Sequence, residues 1–421
     1  MPLSPWYHHL VSSLTRIGMR RTLHFSCPVL AGLLSLFAVP AAGIEIATGS
    51  MLGPRYGADR FYVRSGPSSQ WSPTYTGGSF RGKVKGSLAL VRVTQAIFDD
   101  EWLKERPFDP GANTDRLIEK LDVYKQHGVA GIVVSMQGGN PGYADESNGV
   151  QRGVSADLGE KAGALVSAYS PDGSLKPEWM ARLDRLLKAA DQRGLIVCLV
   201  LFQQDQDEAL ESPEAIVAAA GNVARHLIER DARNVIVDVA DAWDEPEGRW
   251  DHRRFVPRYV ELLIRAVREQ FQHASFSLPI GASSGSGMFY PMSLARLCDL
   301  VLLQGDGRTP ADKLARSKQF KQYGRPVLMV SDSNGLAATN SELARERSIA
   351  QAYLEGAAGW SFVPALTANR FPFEYELADS AELEDSWPAD TRHRAYFRAM
   401  LEGIAKIVLR RPPSTMGKRR K

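Results

Sequence analysis

The stretch PEWMARLDRLLKAADQRGLIVCLVLF, residues 177–202, carries two hydrophobic periods in succession. In its first part Trp179, Met180, Leu183, Leu186, Leu187 and Ala190 recur at three- and four-residue intervals, the apolar stripe of a helix. Gly194 stands where such a helix stops, because a left-handed C-terminal residue favours glycine. The following run, Leu195 to Phe202, is apolar at every position, which suits a strand buried on both faces. A helix feeding a strand of this kind is one unit of a βα repeat.

The unit recurs outward in both directions. Strands are predicted at 88–94, 131–136, 195–202, 234–240, 276–281, 300–304, 326–330 and 359–363. Between them, residues 113–127 place Leu117, Leu121 and Tyr124 on one helical face and stop at Gly128. Ser212, Pro213 and Glu214 are a cap, a first-turn proline and a dipole-matching acid, and Thr339 with Glu342 forms a capping box. Eight repeats with continuously apolar strands predict an α/β fold, a closed (β/α)8 TIM barrel. A doubly wound sheet would require a Gly-rich phosphate turn after the first strand, where residues 95–100 read QAIFDD.

Residues 1–42 are read as a signal peptide. Arg16, Arg20 and Arg21 precede an apolar run from Val29 to Val39 that closes on Pro40, Ala41 and Ala42, too short to span a bilayer comfortably. Residues 43–87, rich in Gly, Ser and aromatics, are expected to form a small N-terminal β element packed at the edge of the barrel. The barrel is assigned to 88–408 and a basic C-terminal tail to 409–421. A secreted or periplasmic location follows from the leader, with no stable membrane insertion after its removal.

The formal net charge of +3, partly held in the leader and the tail, offers no basic face for nucleic acid. Cys27 falls in the leader, and Cys198 and Cys298 lie in or beside apolar strand runs, so neither a disulfide framework nor a metal site is expected. No cofactor is predicted.

In a barrel of this kind chemistry collects at the C-terminal ends of the strands. The residues there are Gln137, Asn140 and Tyr143 after the second strand, Gln203 after the third, and Asp241, Trp243, Asp244 and Glu245 after the fourth. Gln304 and Asp306 follow the sixth strand, Ser331 and Asp332 the seventh, and Trp360 lies on the eighth. Amides and carboxylates exchange hydrogen bonds with hydroxyl groups, and indole rings cover the apolar faces of sugars, so this set suits a carbohydrate ligand. The plainer readings are a tight turn for Gly138–Tyr143, core packing for Trp360, and a capped loop for Asp241, Asp244 and Glu245.

From about Gly82 to Phe362 the chain resembles cellulase-like barrel proteins related to clan-A glycoside hydrolases. The residues that carry the resemblance are QGGNPGY at 137–143, PDGSLKP at 171–177, RNVIVD at 233–238 and LLQGDG at 302–307. The resemblance implies retaining hydrolysis by two glutamates about 5 Å apart, an acid/base after an Asn on the fourth strand and a nucleophile on the seventh. Here the Asn-Glu pair falls on Asp241 and Ala242 and the nucleophile falls on Ser331, while Gln304 and Asp306 stand where relatives look to have His and Asn. Two expectations follow. One is glycoside hydrolysis through the displaced carboxylates Asp241 and Asp332 with Glu245 in support, towards which the many polar rim groups incline the reading. The other is a catalytically inactive pseudo-glycosidase that binds a glycan or a protein partner.

Overall fold

The computed structural model describes residues 43–76, 84–99, 109–138, 167–204, 206–245, 250, 252, 255–305, 308–330, 354, 357–363, 375 and 390–409. Among them the strands are β1 (Ile44–Thr48), β2 (Phe61–Ser65), β3 (Ser72–Pro73), β4 (Leu88–Arg92), β5 (Gly131–Ser135), β6 (Ile196–Phe202), β7 (Val235–Ala240), β8 (Ile280–Gly281), β9 (Ser283–Ser284), β10 (Val301–Leu303), β11 (Val327–Met329) and β12 (Gly359–Phe362). The helices are α1 (Gly49–Leu52), α2 (Pro110–Gln126), α3 (Pro177–Gln192), α4 (Pro213–Glu229), α5 (Phe255–Gln270), α6 (Met292–Leu297), α7 (Pro310–Phe320) and α8 (Asp390–Val408).

From β4 onward the strands form one parallel sheet in the order β8-β7-β6-β5-β4-β12-β11-β10-β9. β8 bonds to β7 and β9 bonds to β10, on either side of Ala282. The two short pieces are one interrupted fifth strand, and through it the sheet returns on itself as an eight-stranded TIM barrel. This strand lies further along the chain than predicted. Phe276 packs edge-on against Phe271 in the helix layer, and the pairing runs on past Gly281 into Ser283 and Ser284.

Two apolar layers explain why the strands are apolar throughout. Leu88, Leu90, Cys198, Val200, Leu302 and Leu328 fill the barrel, while Ala89, Val91, Val197, Leu199 and Leu303 face the helices. The stripe Trp179, Leu183, Leu186 and Ala190 on α3 is fully buried against that outer layer. α2 begins earlier than the apolar pattern suggested, because Asp109 caps it by accepting from Ala112 N at 3.0 Å and Pro110 opens its first turn. Gly128 and Gly194 end α2 and α3 with φ of +83° and +68°. Thr339 and Glu342 lie outside the described residues.

The N-terminal element is a three-stranded antiparallel sheet, β1-β2-β3. Its Ile46 and Phe61 join the apolar cluster that fills the barrel, and Ile46 N donates to Arg233 O at 3.1 Å just ahead of β7. The element thus covers the N-terminal end of the barrel. Among the described residues no helix is long and apolar enough to cross a membrane.

Candidate functional site

The barrel's interior is apolar except near the C-terminal ends of its strands. Arg92 ends β4, Asp238 lies on β7 with Asp241 just beyond it, Ser283 opens β9, and Gln304 follows β10. Pairing brings them together: Ser283 is level with Leu302, and Asp238 with Gly281.

Asp241 is the hub. Arg92 Nη2 donates to its Oδ1 at 3.1 Å and its Oδ2 at 3.0 Å, and Gln304 Nε2 donates to Oδ1. Ser283 Oγ stands 3.4 Å from Oδ1 and 3.2 Å from Ala240 O. Arg92 is secured on its far side by Nη1 donating to Val330 O at 3.3 Å. The Asp241 side chain keeps 14% of its surface exposed, so this ion pair sits at the mouth of the barrel, between core and solvent.

Asp238 lies beneath, fully buried, with Oδ1 accepting from Ser283 N at 2.9 Å and Oδ2 without a hydrogen-bond partner. Burial pushes its carboxyl up to about 8, the charge of Asp241 adds to the rise, and the Ser283 bonds and Arg92 oppose it. Asp238 therefore holds a proton in the fold at neutral pH that the unfolded chain releases near pH 4. Between those two values the unfolded state binds fewer protons, so this group makes stability fall as pH rises, by at most about 1.4 kcal/mol per pH unit. Asp238→Asn is expected to flatten that slope and raise the urea midpoint at pH 7.5 more than at pH 5. Parallel declines in the two proteins would show that Asp238 is not the titrating group.

The remaining acids of the fourth strand's loop tie one loop to another. Asp244 Oδ1 accepts from Gly285 N at 2.6 Å, and Glu245 Oε1 accepts from Ser286 N at 2.7 Å. Burial raises the Asp244 carboxyl, with the Gly285 N–H opposing. Trp243 N donates to Ser283 O at 3.0 Å, and its ring is 7% exposed. On the other side of the mouth Gln137 is fully buried and spends its whole amide on the loops beside it. Its Nε2 donates to Gln206 O at 2.8 Å and Ser167 Oγ at 3.2 Å, and its Oε1 accepts from Gln203 N at 2.9 Å. Gln203 itself is half-buried at the strand end.

Of the residues singled out in the sequence, the structure joins Asp241 and Gln304 directly, with Trp243, Asp244 and Glu245 on the adjoining loop. Trp360 is elsewhere. It pairs in register with Ala89, whose side chain faces the helices, so its indole lies in the outer layer, fully buried and stacked on Phe362 at 5.0 Å. Sugar stacking needs an exposed face at the rim, and this ring presents none. Asn140, Tyr143, Asp306, Ser331 and Asp332 lie outside the described residues.

The sequence reading missed Arg92, Asp238 and Ser283 as site residues. A signal existed for the first two, since each is a charge inside an otherwise apolar strand run, and a buried charge needs a partner. Among the described residues no three His, Cys, Asp or Glu side chains are grouped to hold a metal ion.

No family model and no curated protein matches the sequence. Solved structures align with the chain at low identity and TM-scores below 0.5. An exo-β-1,4-mannosidase from Opitutaceae bacterium strain TAV5 aligns at 14% identity and a TM-score of 0.45 over 75% of this chain and 60% of its own. A glycoside hydrolase family 5 protein from Bacteroides vulgatus aligns at 14% identity and a TM-score of 0.40 over 66% of this chain and 57% of its own. This chain thus spans less than two thirds of either. A glycoside hydrolase family 5 enzyme from Prevotella bryantii is similar at 10% identity and a TM-score of 0.45, over 79% of this chain and 99% of its own.

Proposed function

We propose that this chain is an exported, glycoside-hydrolase-like barrel that binds a neutral oligo- or polysaccharide at the C-terminal rim of its strands and has lost bond cleavage. The leader-like residues 1–42 support export, and the sequence resemblance to clan-A barrels supports the ligand class. Asp241, Gln203 and Asp244 supply rim groups that exchange hydrogen bonds with hydroxyls.

The observation that carries the reading is the state of Asp241. Arg92 and Gln304 already take three of its hydrogen-bonding positions, two on Oδ1 and one on Oδ2, leaving a narrow open edge at the mouth of the barrel. An ion-paired carboxylate in this condition accepts one more hydroxyl donor readily, but it is a poor nucleophile. Asp244 and Glu245 are held by backbone N–H groups of the neighbouring loop, and Ala242 and Ser331 stand where the resemblance calls for glutamates.

The test is a neutral-glycan array followed by calorimetry and product analysis on whatever binds. The unmutated protein is expected to bind and release no shortened product. Asp241→Asn is expected to weaken binding about ten-fold or more, the size of one hydrogen bond to a charged group. Turnover that Asp241→Asn and Asp332→Asn each abolish would replace this reading with hydrolysis by displaced carboxylates. An array blank for every neutral glycan would end the carbohydrate reading.

A further inference from the structure

Phe289, in the loop after the fifth strand, leaves 54% of its surface in solvent. A lone exposed aromatic is ordinary on a protein surface. This one is held in place from many sides. Asp244 and Glu245 accept from Gly285 N and Ser286 N, Arg308 Nε donates to Ser286 O at 3.1 Å, Arg316 Nε to Met288 O at 3.2 Å, and Tyr323 Oη to Tyr290 O at 3.0 Å. Five side chains from three other segments thus pin the six consecutive residues Gly285 to Tyr290, yet Phe289 among them stays exposed.

The backbone holds strain for the same purpose. Met288, just before Phe289, has φ of +48°, and Ala242, just before Trp243, has φ of +51°. Non-glycine residues adopt this region at a cost and persist in it where surrounding structure enforces it, commonly at functional sites. Both strained residues are buried, and each turns the chain so that the next side chain is an aromatic on the same side of the rim. The two rings meet, with centroids 6.3 Å apart and planes tilted by 46°. Trp243 backs the pair, and Phe289 is its open face.

We infer that Phe289, backed by Trp243, is a stacking platform for the apolar face of a second sugar ring, adjoining the ring that hydrogen-bonds to Asp241. The inference rests on the carbohydrate reading above and sharpens it: the ligand is an oligosaccharide of at least two residues, held at a polar subsite and an aromatic one. A rigid aromatic at the rim loses little conformational entropy on binding, which favours stacking over a mobile side chain.

The experiment is calorimetry with cellotetraose, mannotetraose and xylotetraose, against glucose, mannose and xylose, on the full chain and its variants. The unmutated protein is expected to bind at least one tetrasaccharide. Phe289→Ala is expected to weaken that binding about ten-fold, leave the corresponding monosaccharide's affinity and the thermal midpoint unchanged, and be rescued by Phe289→Trp. Asp241→Asn is expected to weaken tetrasaccharide and monosaccharide alike. Unchanged tetrasaccharide affinity in Phe289→Ala, with the loss in Asp241→Asn intact, would overturn the platform and leave the carbohydrate reading standing. No binding of any of the three tetrasaccharides by the unmutated protein would overturn both.

Discussion

Arg92→Leu is expected to lower the free energy of unfolding by about 3–5 kcal/mol, measured by urea denaturation at neutral pH. The residue is buried and its guanidinium faces both carboxylate oxygens of Asp241. Removing it leaves a carboxylate in a confined site above Asp238, whose charged form burial already disfavours. Most of the loss is the penalty of the orphaned charge, not the worth of the pair. The double variant Arg92→Leu with Asp241→Leu removes both charges, so it is expected to be more stable than Arg92→Leu alone, a positive coupling in a double-mutant cycle. A single variant within about 1 kcal/mol of the parent would mean that Asp241 is solvated well enough to stand alone.

Trp360→Ala is expected to have an effect of the same size, about 3–5 kcal/mol, for an unrelated reason. The indole is fully buried between sheet and helices, stacked on Phe362, which in turn packs against Phe397 of α8. Truncation leaves a cavity in a layer held by strands on one side and a helix on the other, which relaxes little. Glycan affinity of the folded variant is expected to be unchanged. Lost affinity with unchanged stability would instead put the ring at the rim, in a register shifted by one residue.

The barrel was legible because its strands are buried on both faces. An eight-fold recurrence of apolar runs and amphipathic helices has few other solutions. The fifth strand was expected at 276–281, whereas its pairing extends into two serines, and the Ser283 hydroxyl and N–H are both taken up by neighbouring site groups. The facing of Trp360 was hidden for a different reason. Alternation along four residues is two-fold ambiguous, and only the pairing of Gly359 with Leu88 decides which side is inward.

Within the site, Asp241 and Gln304 were legible as polar groups at strand ends, a position that is itself informative in a barrel. Their partnership was not, because 62 residues of chain separate them and the fold alone makes them neighbours. Gln137 shows the converse: a residue well placed in sequence whose amide is spent on Gln206, Ser167 and Gln203. Phe289 carried no pattern at all. Its interest arises from exposure, pinning and the φ of Met288, which are properties of conformation.

The most direct test of the carbohydrate reading is a crystal structure of the full chain with whichever tetrasaccharide binds in solution. One sugar hydroxyl is expected within hydrogen-bond distance of the open edge of Asp241, and the adjoining ring over Phe289, with the glycosidic bonds intact. A tetrasaccharide bound away from the C-terminal rim, or one cleaved at it, would contradict the account.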